Sequence, residues 1–319
     1  MTEIKTSLPR CPRTGKPILE ISHSGLNSFA SCPRKWAFRK AVVEFKGEPR
    51  NSVAGSVGTA LHEGFQSYMI HRDMDKAVEA LCLAHPIDIQ NTKPAEYSVE
   101  ASIITLERGI EDGKLDDYEL AYFNIGEKRI PGVEIAFLVE IECRHVMFHL
   151  RGFIDLVLLS SITEMFMAVD IKTTTPQGSA HFETKYKYDW QCTSYGVPLN
   201  GLLGVTGNFE TAIYGVIQSD YDPRYIMPAF TRTQKDVNQY YTFLLDKCAQ
   251  IERYFVAQHF PRHPQSCISY GKPCFYHDKC DVTTLHEMQM LINPSLKPGQ
   301  DPRPFVPVYT AQLENYIDE

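Results

Sequence analysis

Three runs of β-forming residues follow one another at short intervals: Val133 to Cys143, Phe148 to Leu159 and Met165 to Ile171. Short breaks between runs of this composition predict neighbouring antiparallel strands. Helical patterns lie on both sides. Ser24 is placed to cap a helix from Gly25 to Ala41, and the turn-like Ala54-Gly55-Ser56-Val57-Gly58 leads into a second helix from Thr59 to His71. Asp73 to Glu119 reads as a polar, mostly helical insertion. After the strands come a helix from Trp190 to Leu199 interrupted by Pro198, a strand from Thr211 to Ser219 and a helix from Thr233 to Gln258. This order predicts an α/β fold: a mixed β-sheet core flanked by helices, with a helical insertion at about 73–119. Residues 21–281 form the expected domain. Residues 1–20, with Pro9, Pro12 and Pro17, read as an extended arm, and residues 282–319 as a surface tail.

The chain has 319 residues, 43% hydrophobic and 22% charged, which is ordinary globular composition with material for a sizeable core. No apolar run is long enough to predict a membrane span, and MTEIKTSLPRCPRTGKP lacks the apolar stretch of a secretory signal. A soluble cytoplasmic protein is expected. The formal net charge of −7 argues against a protein that coats nucleic acid. It does not exclude an enzyme that spends carboxylates on a metal and needs only a local basic groove, and Arg34, Lys35, Arg39 and Lys40 form one such cluster.

Two segments carry residues suited to metal chemistry. Arg151-Gly152-Phe153-Ile154-Asp155 ends in a carboxylate, and Asp170-Ile171-Lys172 puts a carboxylate and an amine on one face of a strand. If the strands pair as a hairpin, Asp155 reaches the same sheet edge, and two carboxylates there suit Mg²⁺ or Mn²⁺. Lys172 would then orient or help deprotonate a water and steady developing negative charge, a role that asks for a pKa depressed by burial and cationic neighbours. An Asp-x-Lys triplet alone is commonplace, usually a solvated strand end. His62 sits near a helix start, where it could bind a metal, hydrogen-bond to the metal's surroundings or simply pack. Gln191 and Tyr195 share one helix face and could touch a nucleotide or phosphate, or pack.

Nine cysteines, odd in number and unevenly spread, do not suit a disulfide framework. Cys11, Cys82, Cys143, Cys192 and Cys248 stand alone. Cys267, Cys274 and Cys280 crowd one polar loop, and Cys32 is the natural fourth ligand of a metal site. All-thiolate coordination suits a 4Fe–4S cluster or Zn²⁺, and spacing does not choose between them.

Taken in order, Gly58-x-x-x-His62, Gly152-x-x-Asp155, Asp170-x-Lys172 and Gln191-x-x-x-Tyr195 resemble the signature of RecB-like PD-(D/E)XK nucleases. Cys32-Pro33-Arg34-Lys35 resembles that group's N-terminal motif, and the likeness runs from about residue 22 to 281. The resemblance implies a restriction-endonuclease-like fold and a Mg²⁺- or Mn²⁺-dependent DNA nuclease. In it His62, Asp155 and Asp170 would be metal ligands, Lys172 the catalytic lysine, and Gln191, Tyr195 and Arg34 substrate-binding residues. Glu134 aligns with an acidic residue of the first strand, and a structural role is expected there. One early and three late cysteines, the last pair five residues apart, resemble the 4Fe–4S site of AddB-type nucleases, although the first gap is six residues where that family usually has two. His263 and His277 stand nearby as substitutes for Cys267, and Zn²⁺ is the second choice of occupant. Such a clasp would join residue 32 to residues 267–280 and brace the domain.

Relatives of this type serve recombination, repair, replication and CRISPR spacer acquisition. The expected activity is an exonuclease preferring single-stranded ends, with Phe29, Trp36, Trp190 and Tyr195 available to stack bases. The chain has no Gly-x-x-x-x-Gly-Lys-Ser/Thr loop, so a helicase or single-strand-binding protein is an expected partner beside DNA. An architecture without a helicase suits a phage or mobile element. Two other classes compete: a catalytically silent iron–sulfur DNA-binding or assembly subunit, and a zinc-stapled interaction protein.

Overall fold

A computed structural model of the chain describes residues 8–41, 53–85, 97–125, 127–174, 181–203, 209–219, 222–257, 259–269, 272–277, 280 and 305–308. The first third holds β1 (Ile18–Ile21), α1 (His23–Ser31), α2 (Pro33–Ala41), α3 (Val53–His71), α4 (Met74–Ala84) and α5 (Val99–Glu111). Seven strands and helices follow as β2 (Tyr118–Leu120), β3 (Tyr122–Ile125), β4 (Lys128–Pro131), β5 (Val133–Glu142), β6 (Met147–Ser160), β7 (Phe166–Thr174) and α6 (Phe182–Lys187). Next come α7 (Trp190–Ser194), α8 (Gly196–Leu203), β8 (Phe209–Ile217), β9 (Arg224–Ile226), β10 (Ala229–Arg232) and α9 (Gln234–Val256). The chain closes with β11 (Ile268–Ser269), β12 (Lys272–Pro273) and β13 (Phe305–Val308). Among the described residues nine strands join one mixed sheet, as the sequence predicted of the fold class. No helix among them is long and apolar enough to cross a membrane.

The chain divides into two compact units. One comprises Pro49–Ile135 and Phe153–Val237. Its central strand is β7, antiparallel to β6 from Leu159↔Phe166 to Leu156↔Val169 and parallel to β8 from Met167↔Glu210 to Thr174↔Ile217. Strand alternation sorts the side chains of β7. Val169 and Ile171 enter an apolar cluster with Leu61 and Phe65 of α3, Leu81 of α4, Leu106 of α5, and Tyr214 and Val216 of β8. A second cluster holds Phe182 and Tyr186 of α6, Cys192 of α7 and Ile213 of β8.

The segment expected as an insertion is built into this unit. Asp73 and Ser98 cap α4 and α5 by accepting from Lys76 N (3.2 Å) and Ala101 N (3.1 Å), and Ala77, Leu81 and Leu106 are fully buried. Tyr214 donates its hydroxyl to Gly109 O (2.9 Å), fastening α5 to the sheet.

Two local expectations fail for identifiable reasons. The Gly-rich stretch 54–58 is the opening of α3 rather than a turn. A Cβ on Gly58 would lie 2.7 Å from Thr173 Oγ1, so glycine serves close approach of the helix to β7. The helix predicted over 190–199 is two helices, and Pro198 lies in the first turn of α8, where its missing N–H costs nothing.

The other unit comprises Met1–Glu48, Ala136–Gly152 and Asn238–Glu319. The expected arm ends in β1, parallel to the start of β6, and within the expected tail β13 runs parallel to β5. Helix Gly25–Ala41 is instead two helices. Cys32 precedes Pro33, which disfavours helical backbone, and adopts φ −157°, ψ 108°. The cap is Ser22, accepting from Gly25 N (3.2 Å), not Ser24. Glu252 of α9 accepts the N–H groups of His145 (2.5 Å) and Val146 (3.1 Å), fixing the β5–β6 turn. Phe29 and Trp36, expected to meet bases, are core residues: their rings meet edge-on at 5.5 Å, beside Tyr254 and Phe260.

Gly152 belongs to the same unit, and a Cβ there would stand 2.4 Å from the Phe137 ring. Gly152→Ala is therefore expected to destabilise by about 1–3 kcal/mol through overpacking, read as a lower urea midpoint at unchanged m-value.

Candidate active site

The site lies where β6 and β7 part, inside the sheet rather than at its outer edge. The backbone register ends at Leu156↔Val169. One residue further, Asp155 Oδ2 accepts the N–H of Ile171 at 2.8 Å, in place of a strand carbonyl. The carboxylate thus terminates the ladder and is held by it.

Asp170 is opposite, 1% exposed. Its Oδ1 accepts from Gln191 Nε2 (2.8 Å) and from the Tyr195 hydroxyl (2.6 Å), and Gln191 Nε2 also lies 2.8 Å from that hydroxyl. Asp189 caps α7 by accepting from Gln191 N (2.7 Å), which sets the direction of the Gln191 side chain. Gln191 and Tyr195, expected to face substrate, therefore hold Asp170, and Tyr195 is itself buried. Lys172 Nζ is 2.5 Å from Asp170 Oδ2, yet that oxygen accepts no well-aligned hydrogen bond, so the contact is an ion pair.

α3 supplies His62, whose Nδ1 stands 3.5 Å from Asp155 Oδ2. One turn on, Gln66 Nε2 donates to Glu134 Oε1 (2.9 Å). Glu134 has left-handed backbone, φ 47°, which costs a side-chain-bearing residue about 1–3 kcal/mol and was not legible in the sequence.

Charge is unevenly shared. Burial, then the Asp170 charge, pushes Asp155 up to about 8 against the opposing pull of Lys172 and the Ile171 N–H. His62 is lowered to about 4 by burial and Lys172, and is neutral at pH 7. For Lys172 burial acts downward, but the charges of Asp170 and Asp155 outweigh it and its pKa is raised. The depressed pKa expected of Lys172 is not found, because its neighbours are carboxylates and not cations.

In the unit that contains Cys32, the cysteine-bearing segments are tied together by backbone acceptors. Ser31 O accepts from Ser266 Oγ (2.7 Å) and lies 3.0 Å from His263 Nδ1. Arg34 donates Nε to Phe260 O (3.0 Å) and Nη1 to Cys280 O (2.7 Å). Expected to bind substrate, Arg34 is spent on these carbonyls instead. The Lys35 side chain is half-buried, and those of Arg39 and Lys40 lie outside the described residues. The long gap between Cys267 and Cys274 is a hairpin of β11 and β12, so Cys274 N donates back to Cys267 O at 2.7 Å. None of the four cysteines forms a disulfide; burial raises Cys280, and Cys32, Cys267 and Cys274 add to that rise while Arg34 opposes it.

The sequence model of the PD-(D/E)XK nuclease superfamily matches residues 20–281. The chain belongs to this superfamily. A PD-(D/E)XK protein is a nuclease, a hydrolase of phosphodiester bonds. No curated protein matches the sequence. Among solved structures, a candidate exonuclease from Eubacterium rectale is similar at 15% identity and TM-score 0.47, covering 82% of this chain and 92% of its own. A protein designated SSO0001 is similar at 11% identity and TM-score 0.26, covering 70% and 85%.

Among the described residues of this PD-(D/E)XK nuclease, no group of three or more His, Cys, Asp and Glu side chains stands in an arrangement that would hold a metal ion. Asp155 and Asp170 direct oxygens to protein donors instead. As a donor set they nonetheless fit a hard divalent cation: a buried carboxylate (Asp170) retaining an oxygen without an aligned hydrogen bond, and a partly buried one (Asp155) beside a neutral imidazole.

The pH dependence has a defined sign. Asp155 has a folded pKa above its unfolded value, so its contribution to stability is present at low pH and is lost as pH rises toward 8. The contribution of His62 runs the other way, lost as pH falls from 6.5 toward 4. Between pH 6.5 and 8, Asp155 acts alone of these two. With divalent ions chelated, the melting temperature is expected to fall across that window in the parent protein and to stay level in Asp155→Asn.

Proposed function

We propose that this PD-(D/E)XK protein is a Mg²⁺- or Mn²⁺-dependent deoxyribonuclease acting on single-stranded DNA ends, in recombination, repair or replication. The observation that carries the reading is the meeting of Asp155, Asp170, Lys172 and His62 at one split between strands. Asp155, Asp170 and neutral His62 are the residues to hold the ion. When bound, a divalent cation supplies an activated water and charge relief on the scissile phosphate.

The protein's own groups then have separate tasks. Lys172, charged and with a side chain 30% exposed, faces negative charge that grows on the phosphate as the bond breaks. Gln191 and Tyr195 keep the buried Asp170 carboxylate from rotating, so one of its oxygens stays directed at the reaction. Glu134 and Gln66 brace the Asp155 side of the site.

The same reading assigns Cys32, Cys267, Cys274 and Cys280 to a 4Fe–4S cluster, with Zn²⁺ the alternative occupant. Its support is the hairpin that returns Cys274 to Cys267 and the Arg34 bridge to Cys280. The role is structural. Iron and labile sulfide in a brown, anaerobically purified protein are the expected result; stoichiometric zinc without iron would reassign the site.

The activity is tested on end-labelled single-stranded and duplex DNA with Mg²⁺, Mn²⁺ or chelator. Lys172→Ala, Asp155→Asn and Asp170→Asn are each expected to slow cleavage about 10²–10³-fold or more while DNA affinity is largely kept. Cleavage by Lys172→Ala at the parent rate would refute the assignment. DNA binding without cleavage by the parent under any divalent ion would favour the silent binding subunit.

A further inference from the structure

Between β7 and the Gln191 helix stands α6, a helix of six residues with two buried and several exposed side chains. Phe182 and Tyr186 anchor it, their rings 4.8 Å apart, and a Cβ on Gly215 would strike the Phe182 ring at 2.7 Å. His181, Lys185, Lys187 and Tyr188 face solvent. Tyr188 is 76% exposed, with Lys187 Nζ 5.6 Å from its ring centre.

An exposed tyrosine alone needs no explanation. Three observations set this one apart. First, the turn that bears it is clamped from beneath: Arg232, 6% exposed, gives Nη1 to Lys187 O (2.8 Å), Nη2 to Tyr186 O (3.4 Å) and Nε to Thr211 Oγ1 (3.2 Å). A buried guanidinium is thus spent on holding the backbone of a short surface turn. Second, the turn runs straight into the site, since Asp189 N donates to Tyr186 O (3.1 Å) and Asp189 caps the helix of Gln191. Three residues of chain place Tyr188 within about 11 Å of Gln191. Third, a second cation is held in place beside the exposed ring: Lys185 Nζ donates to the Tyr186 hydroxyl at 3.2 Å and stands 4.7 Å from the centre of that anchored ring.

We infer that α6 and the turn after it grip a single DNA strand beside the site, with Tyr188 stacking an unpaired base and Lys185 holding a neighbouring phosphate. This rests on the nuclease reading and names how that site selects its substrate. A rigid ring beside cations suits an unpaired base, whose π-face is free, and not a base stacked within a duplex. Lys185 is the phosphate ligand in preference to Lys187, because the Tyr186 hydroxyl positions its ammonium at 3.2 Å, whereas Lys187 stands by the Tyr188 ring, 5.6 Å from its centre.

The full chain is titrated into a fluorescent oligo-dT and into a blunt hairpin duplex in chelator, with anisotropy read at several salt concentrations; cleavage is followed separately in Mn²⁺. Tyr188→Ala is expected to weaken oligo-dT binding roughly five- to hundredfold and duplex binding less than about twofold, with an unchanged melting temperature. Tyr188→Phe keeps parent affinity, because the ring and not the hydroxyl does the stacking. Lys185→Ala lowers the salt slope for oligo-dT by about 0.7. Parent-like binding by Tyr188→Ala, or equal losses on both DNAs, would overturn the grip while leaving the cleavage result of Lys172→Ala untouched. If the parent cleaves nothing yet Tyr188→Ala still releases oligo-dT selectively, the grip stands and the nuclease reading falls.

Discussion

A buried carboxylate with only part of its demand met is the constraint on which the rest turns. Taking Asp170 out of water carries a penalty of several kcal/mol unless donors surround it. One donor on α7, one from the residue that caps its end and one ammonium answer that demand, and each needs its own support. The amide of Gln191 depends on the Asp189 cap, the hydroxyl of Tyr195 on the end of the same helix, and the ammonium of Lys172 on strand alternation. Cys192, on the same helix, is pushed up to about 12 by burial and then by Asp170, so it packs as a neutral thiol. The helix is therefore a bracket for one side chain more than an element with a core of its own.

Much of this was legible in the sequence. The three strands and the alternation that pairs Asp170 with Lys172 follow from composition and period, because a sheet buried on both faces demands apolar residues around whatever charge it keeps. The roles of Gln191 and Tyr195 were not legible: spacing puts them on one helix face but says nothing of which way that face looks. Nor was the charge of Lys172, since whether an amine is depressed or raised depends on neighbours that only the fold supplies. Trp36 and Phe29 look like base-stacking residues in a string of letters and are core residues because α9 and Phe260 close over them.

Glycine in two of the motifs turned out to serve packing. Gly58 lets α3 settle on Thr173, which brings His62 to Asp155 one turn later, and Gly152 leaves room for the ring of Phe137. Proline acts with comparable economy at Cys32-Pro33. By refusing a helical residue before it, Pro33 turns what would be one long helix into a corner, and the cysteine stands at the bend.

The bond from the Ile171 amide to Asp155 makes the sheet itself a reporter. That amide proton is shielded only while the carboxylate stays put, so its exchange with deuterated solvent tracks how firmly the cleft is set. A carboxylate oxygen has two lone pairs, and one suffices for the amide. The other can turn to a new companion without loosening the strand, so the seam can change its guest while its stitching stays closed.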